Sequence, residues 1–141
     1  MGTRLPAVRW PTLAMLLHLA GCVGRGPEMV PVSGTVKLTD GTVPQGKVAI
    51  VRFEPLADSD AQPNKGASGD IRPDGHFDLM TVQPGDGAIP GRYKVCFTVY
   101  KTYLGQEPLI PDKYAKAQTT PFEVDVESGK SNEFEFELDA R

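Results

Sequence analysis

Two cysteines, two histidines and one tryptophan are all this chain of 141 residues offers for thiol, imidazole and indole chemistry. Cys22 and Cys96 could form one bridge at most, far short of a disulfide framework. Cys22 closes an N-terminal leader and Cys96 falls inside a predicted strand, so no bridge between them is expected. His18 belongs to the leader, which leaves His76. A zinc centre needs three or four nitrogen or thiolate ligands, and a catalytic triad needs a nucleophile beside its imidazole. His76 lies between a turn glycine and Phe77 and points outward by alternation, as a strand-surface residue does. No segment carries convincing helical periodicity. The longest apolar stretch, residues 10–20, is interrupted by Thr12 and His18, whereas a spanning helix needs about 20 apolar residues. No cluster of Lys and Arg gives the electrostatic footprint of a nucleic-acid binder.

What the N-terminus does have is a secretory pattern. Arg4 and Arg9 supply a positive start, an apolar stretch follows, and Leu19-Ala20-Gly21-Cys22 closes it with small residues before a cut site. Leu-Ala-Gly-Cys resembles the bacterial lipobox, which implies that Cys22 accepts diacylglycerol and becomes the mature N-terminus. One acyl chain holds a protein only marginally; two or three make a stable anchor. Removing residues 1–21 takes away two of the fifteen basic residues and none of the eighteen acidic ones, moving the net charge from −3 to −5. The expected organisation is a signal peptide over 1–21, a lipidated tether over 22–31 and one domain over 32–141. Val23 after the lipid cysteine resembles the outer-membrane sorting pattern of two-membrane bacteria.

From Val32 onward the pattern has period two, punctuated by turn residues, as in a β-sandwich or barrel. Strands are expected at about 32–39, 47–54, 66–72, 76–81, 92–101, 121–127 and 132–139. Val32, Gly34, Val36 and Leu38 share a face of the first. The second is apolar on both faces, as a central strand is. Arg72-Pro73-Asp74-Gly75 is a turn, with Pro fixing φ and Gly permitting φ > 0. In the fifth, Tyr93, Val95, Phe97 and Val99 oppose Lys94, Cys96, Thr98 and Tyr100, which makes Cys96 a half-buried free thiol. A long connection over 102–119 includes one helical turn at 111–115. In the last two strands Phe122, Val124, Val126, Phe134, Phe136 and Leu138 face in, against Glu123, Asp125, Glu127, Glu133, Glu135, Glu137 and Asp139. If those two strands pair, their acidic residues lie opposite one another, which is unfavourable, and opposed residue numbers add to even totals. The fold class is all-β, with seven strands suiting a Greek-key sandwich.

The order Gly34-x-Val36, Pro44-x-Gly46-x-Val48, Asp74-Gly75-His76-Phe77, Pro90-Gly91-x-Tyr93-x-Val95 resembles the carboxypeptidase regulatory-like domain. That resemblance implies a prealbumin-like (transthyretin-like), immunoglobulin-like sandwich. Pro84-Gly85-Asp86-Gly87 and Leu109-Ile110-Pro111-Asp112-Lys113-Tyr114 look like a group of small bacterial lipoproteins built on it. The similarity covers about 30–139 and departs at Lys47 and at Arg72-Pro73. It implies a fold and no activity.

Asp70, Asp74 and Asp78 recur at four-residue steps, but calcium takes six to eight oxygens and the spacing matches no EF-hand loop. Asp74-Gly75 is explained by turn chemistry. Neither a cofactor nor a catalytic residue is expected. The expected function is that of a non-enzymatic, membrane-anchored envelope lipoprotein whose sandwich is a structural or protein-interaction module. The alternative is a carbohydrate-binding module, for which Tyr100, Tyr103 and Tyr114 are the candidate ligand-binding residues. Expected partners are the membrane, through lipid on Cys22, and an envelope protein or glycan.

Overall fold

The structure, a computed structural model, describes Gly2 and residues 26–141; Cys22 and nearly all of the expected signal peptide lie outside the described residues. The chain is all-β. Its strands are β1 (Val32–Leu38), β2 (Val48–Pro55), β3 (Ala67–Asp70), β4 (His76–Asp78), β5 (Gly91–Tyr100), β6 (Glu123–Val126) and β7 (Asn132–Leu138), with one 3-10 turn, Asp112–Ala115. They form a three-stranded sheet, β4-β1-β7, and a four-stranded sheet, β3-β2-β5-β6.

The inward residues read from alternation build the core. Tyr93, Val95, Phe97 and Val99 of β5 are fully buried, as are Val51 and Phe53 of β2 and Phe77, Val36 and Leu138 from the other sheet. Phe53 joins the two layers: its ring centroid lies 5.9–6.4 Å from those of Phe77, Tyr93, Phe134 and Phe136. Each such side chain contributes about 1.5–3 kcal/mol on burial, with about 0.5–1.5 kcal/mol more from edge and offset aromatic contacts. The longest ladder is the antiparallel β2–β5 pair, from Val48 opposite Tyr100 to Pro55 opposite Tyr93. It accounts for β2 being apolar on both faces.

The last two strands do not pair with each other. β6 runs antiparallel to β5, and β7 runs parallel to β1, with Val32 opposite Asn132 and Leu38 opposite Leu138. The parity expected of a hairpin therefore has no ladder to act on. The connection crosses from one sheet to the other, held by Asn132, whose side chain accepts the Glu127 N–H and donates to the Glu127 carbonyl at 2.9 Å each. This separation also removes the expected charge clash. Glu123 lies 3.6 Å from Arg92 and 3.2 Å from Lys94, Asp125 is opposite Arg92, and Glu137 is 3.6 Å from Lys37.

Two expected strands are shorter than their apolar patterns. β3 ends at Asp70 because Arg72 already closes the turn: its N–H donates to the His76 carbonyl and its carbonyl accepts the Gly75 N–H. β4 ends at Asp78, and Met80 makes only an isolated bridge to Ser68. That bridge joins the β3 edge of one sheet to the segment after β4 in the other.

Packed structure begins ahead of the expected domain start at residue 32. Val30 is buried and exchanges two main-chain hydrogen bonds with Ala88, at 2.9 and 3.0 Å, and Glu28 accepts a hydrogen bond from Ser128. The segment that follows β4, with Pro84-Gly85-Asp86-Gly87 and Ala88, is the seat for this incoming chain. The Asp86 carboxylate accepts the N–H groups of Thr81, Val82 and Gln83 at 2.7–2.9 Å, which fixes that seat.

Candidate functional site

The sequence candidates are dispersed by the fold. Among the described residues no group of three or more His, Cys, Asp or Glu side chains is placed to hold a metal ion. His76 is exposed at the start of β4, where its backbone N–H donates to the Asp74 carboxylate at 3.0 Å. Asp74 thus closes the turn on itself, and Arg72 binds Asp78 at 2.8 Å. Asp74 is therefore a turn residue, Asp78 an ion-pair partner and Asp70 a residue lining a surface groove.

Cys96 is not half-buried but fully buried. Alternation does put it on the outer face of its sheet, opposite Arg52. The 109–120 connection then packs along β5: Leu109 N–H donates to Val99, and the Thr120 hydroxyl donates to the Val95 carbonyl at 2.6 Å. Arg52 reaches over to donate to the Ala115 carbonyl at 2.9 Å. Burial first, and Glu54 second, push the thiol up to about 11 against the opposing pull of Arg52 and Lys94. Such a thiol is a packing group rather than a nucleophile.

The three candidate tyrosines do not converge. Tyr114 is only 3% exposed and its ring stacks on Phe122 at 5.7 Å between centroids. It is removed as a ligand platform, because a buried ring has no face left for a sugar. Tyr100 is half-buried at the end of β5. Tyr103 is 78% exposed, and beside it stands Leu104 at 83%. The loop presenting them is closed at its base by the Lys101 N–H donating to the Glu107 carbonyl and by a Lys101–Glu107 ion pair at 3.0 Å. Glu107 is the one non-glycine residue among those described with positive φ, at 61°. Leu104 was not singled out in the sequence, although an apolar residue between turn signals was its visible mark. Because β5 ends at Tyr100 and starts at Gly91, near the bound Val30 segment, this loop stands at the end of the domain opposite the chain's entry.

Two further surfaces exist. A groove of about 730 Å³ runs where β3 and β4 diverge, with Ile50, Met80 and Pro84 apolar in its wall and Ser33, Ser68, Asp70 and Arg72 polar. The other is the far edge of β7. Its even-numbered residues turn their carbonyls to β1, as Leu138 does in accepting the Thr39 N–H. Residues alternate in a strand, so Glu133, Glu135 and Glu137 turn their N–H and C=O groups away from β1. No strand among the described residues pairs with that side.

Among the described residues the geometry holds surfaces for contact and brings no nucleophile, base and orienting group together. No protein-family model matches the chain, and no curated protein or solved structure matches it.

Proposed function

We propose that the chain is a non-enzymatic lipoprotein of the bacterial cell envelope, anchored through lipid on Cys22, whose sandwich serves as a structural or protein-interaction module. In this reading its strands follow the Greek-key, prealbumin-like order of the carboxypeptidase regulatory-like domain, and it sits at the outer membrane. The observation that carries the reading is polarity of the domain. Residues 28–30 dock on one end, so only about six residues separate Cys22 from the fold, roughly 20 Å at full extension. The exposed Tyr103–Leu104 pair occupies the other end. A module held close to a membrane at one end and free at the other is suited to meeting partners from the surrounding compartment.

Mass spectrometry of the native protein tests the anchor: acyl mass is expected on the peptide that begins at Cys22. An intact leader, or a bridge between Cys22 and Cys96, would overturn it. The carbohydrate-binding reading keeps one supporting observation, the exposed ring of Tyr103. Titration with envelope oligosaccharides would favour it only if Tyr103→Ala removed binding.

A further inference from the structure

We infer that the far edge of β7 is a docking site for an extended, basic segment of a partner protein, which adds to the β4-β1-β7 sheet as a further strand. The inference deepens the interaction-module reading.

Three successive outward-facing positions, Glu133, Glu135 and Glu137, turn main-chain donors and acceptors to an edge that has no main-chain partner among the described residues. An exposed row of this kind is a template for another strand. The next donor of the same edge, the Asp139 N–H, is not free: the Tyr114 hydroxyl takes it at 3.0 Å. The open stretch is therefore bounded at its C-terminal end, which sets the register of anything added. At its N-terminal end Asn132 turns the chain toward the other sheet.

Charge selects the occupant. A second copy pairing β7 to β7 would set glutamates against glutamates, an arrangement that disfavours self-association. Among the described residues, Glu137 alone of the three carboxylates has a cation, Lys37; Glu133 and Glu135 lie opposite Ser33 and Thr35 on β1. A strand whose outward residues are Lys or Arg would meet all three. Its alternate residues would turn toward the inner face, where Phe134 of β7 is only half-buried. An apolar residue there covers that ring. The segment that fits thus alternates cationic and apolar side chains.

The test uses the full chain and a short fluorescent peptide of alternating lysine and valine. Saturable binding is expected, with slowed amide exchange at Glu133, Glu135 and Glu137. Glu133→Gln with Glu135→Gln should weaken it by about tenfold, at the magnitudes of cross-strand charge pairs, without lowering the melting temperature. The same peptide carrying N-methyl groups on its pairing edge should not bind. Equal binding of the N-methylated peptide would show adhesion by charge alone and overturn the inference. So would equal binding of a glutamate–valine peptide, or unchanged exchange at the three amides. Absence of lipid on Cys22 would leave this result untouched, and failed peptide binding would leave the anchor untouched.

Discussion

The Tyr114 hydroxyl lies 3.0 Å from the carboxylate Oδ2 of Asp139 and 3.0 Å from the backbone nitrogen of the same residue. It donates to the first and accepts from the second, so one side chain holds the end of β7 to the 109–120 connection. Lys113 reinforces the join at 2.6 Å from Oδ2. Tyr114→Phe keeps the stack on Phe122 and loses both bonds. It should cost about 1 kcal/mol. Tyr114→Ala adds a cavity and should cost about 3–5 kcal/mol. Equal melting temperatures for wild type and Tyr114→Phe would show that the hydroxyl holds nothing.

Several aspartates make acid the condition to which the fold should be most sensitive. Asp139 is held below its ordinary value of 3.8 by the Lys113 hydrogen bond first and by Tyr114 second. For Asp86, burial works to raise the carboxyl, but the Thr81, Gln83 and Val82 N–H groups outweigh it and leave it lowered. A carboxylate depressed in the folded state contributes stability that is complete above its unfolded value and lost as pH falls through the folded one. Unfolding free energy should therefore hold steady above about pH 4 as far as these groups are concerned and decline below it. Denaturant titrations across that range should give a shallower decline for the Asp86→Asn, Asp139→Asn double variant. Parallel curves for the two proteins would refute the assignment.

Gly75 and Gly87 mark two positions where a side chain cannot be added without moving backbone. Gly75 has φ +86°, and a Cβ there would lie 2.7 Å from the Val36 carbonyl. Gly75→Val should destabilise by about 1–3 kcal/mol. Gly87 has φ +85°, and its Cβ would collide with the Val30 carbonyl. Gly87→Ala should thus expel the incoming chain and quicken amide exchange at Val30 and Ala88. Gly129, also at positive φ but with open space around it, is the control. A Gly87→Ala protein with native exchange at Val30 would place the entry segment elsewhere.

Faces were legible in the sequence; partners were not. Alternation placed Tyr93, Val95, Phe97, Val99, Phe136 and Leu138 inward, because burial on one side of a pleat writes itself into every second residue. The same alternation is silent on which strand lies alongside. Two runs as alike as those at 121–127 and 132–139, four residues apart at Ser128-Gly129-Lys130-Ser131, suggest a hairpin. What separates them is non-local: Arg92 and Lys94 lie beside β6, and the whole of β1 is in register with β7. Tyr114 and Cys96 were misjudged for one reason. Their burial comes from the 102–119 connection folding back, and a loop's path leaves no periodic trace. The two exposed large apolar residues of the 101–107 loop, Tyr103 and Leu104, by contrast, lie among turn residues.

Cys96 offers a direct reading of that connection. Its thiol is fully buried on the outer face of the sheet, and the Arg52 guanidinium tied to Ala115 lies beside it. With the thiol raised to about 11, the thiolate at neutral pH is on the order of one part in ten thousand. In native protein Cys96 should therefore stay unlabelled by a thiol reagent on mixing, while in unfolded protein Cys96 consumes one equivalent per chain. Slow native labelling should report opening of the 109–120 connection, since reagent reaches sulfur only when that segment lifts. Arg52→Met, which removes the tie to Ala115 but keeps the apolar stem, should speed labelling. Tyr114→Phe, which releases the neighbouring residue from Asp139, should do the same. Both variants should act without changing the rate measured in denaturant. Immediate, complete labelling of the folded wild type would mean that the connection does not seal the sheet. Labelling equally slow in both variants and wild type would mean that Arg52 and Tyr114 do not hold it.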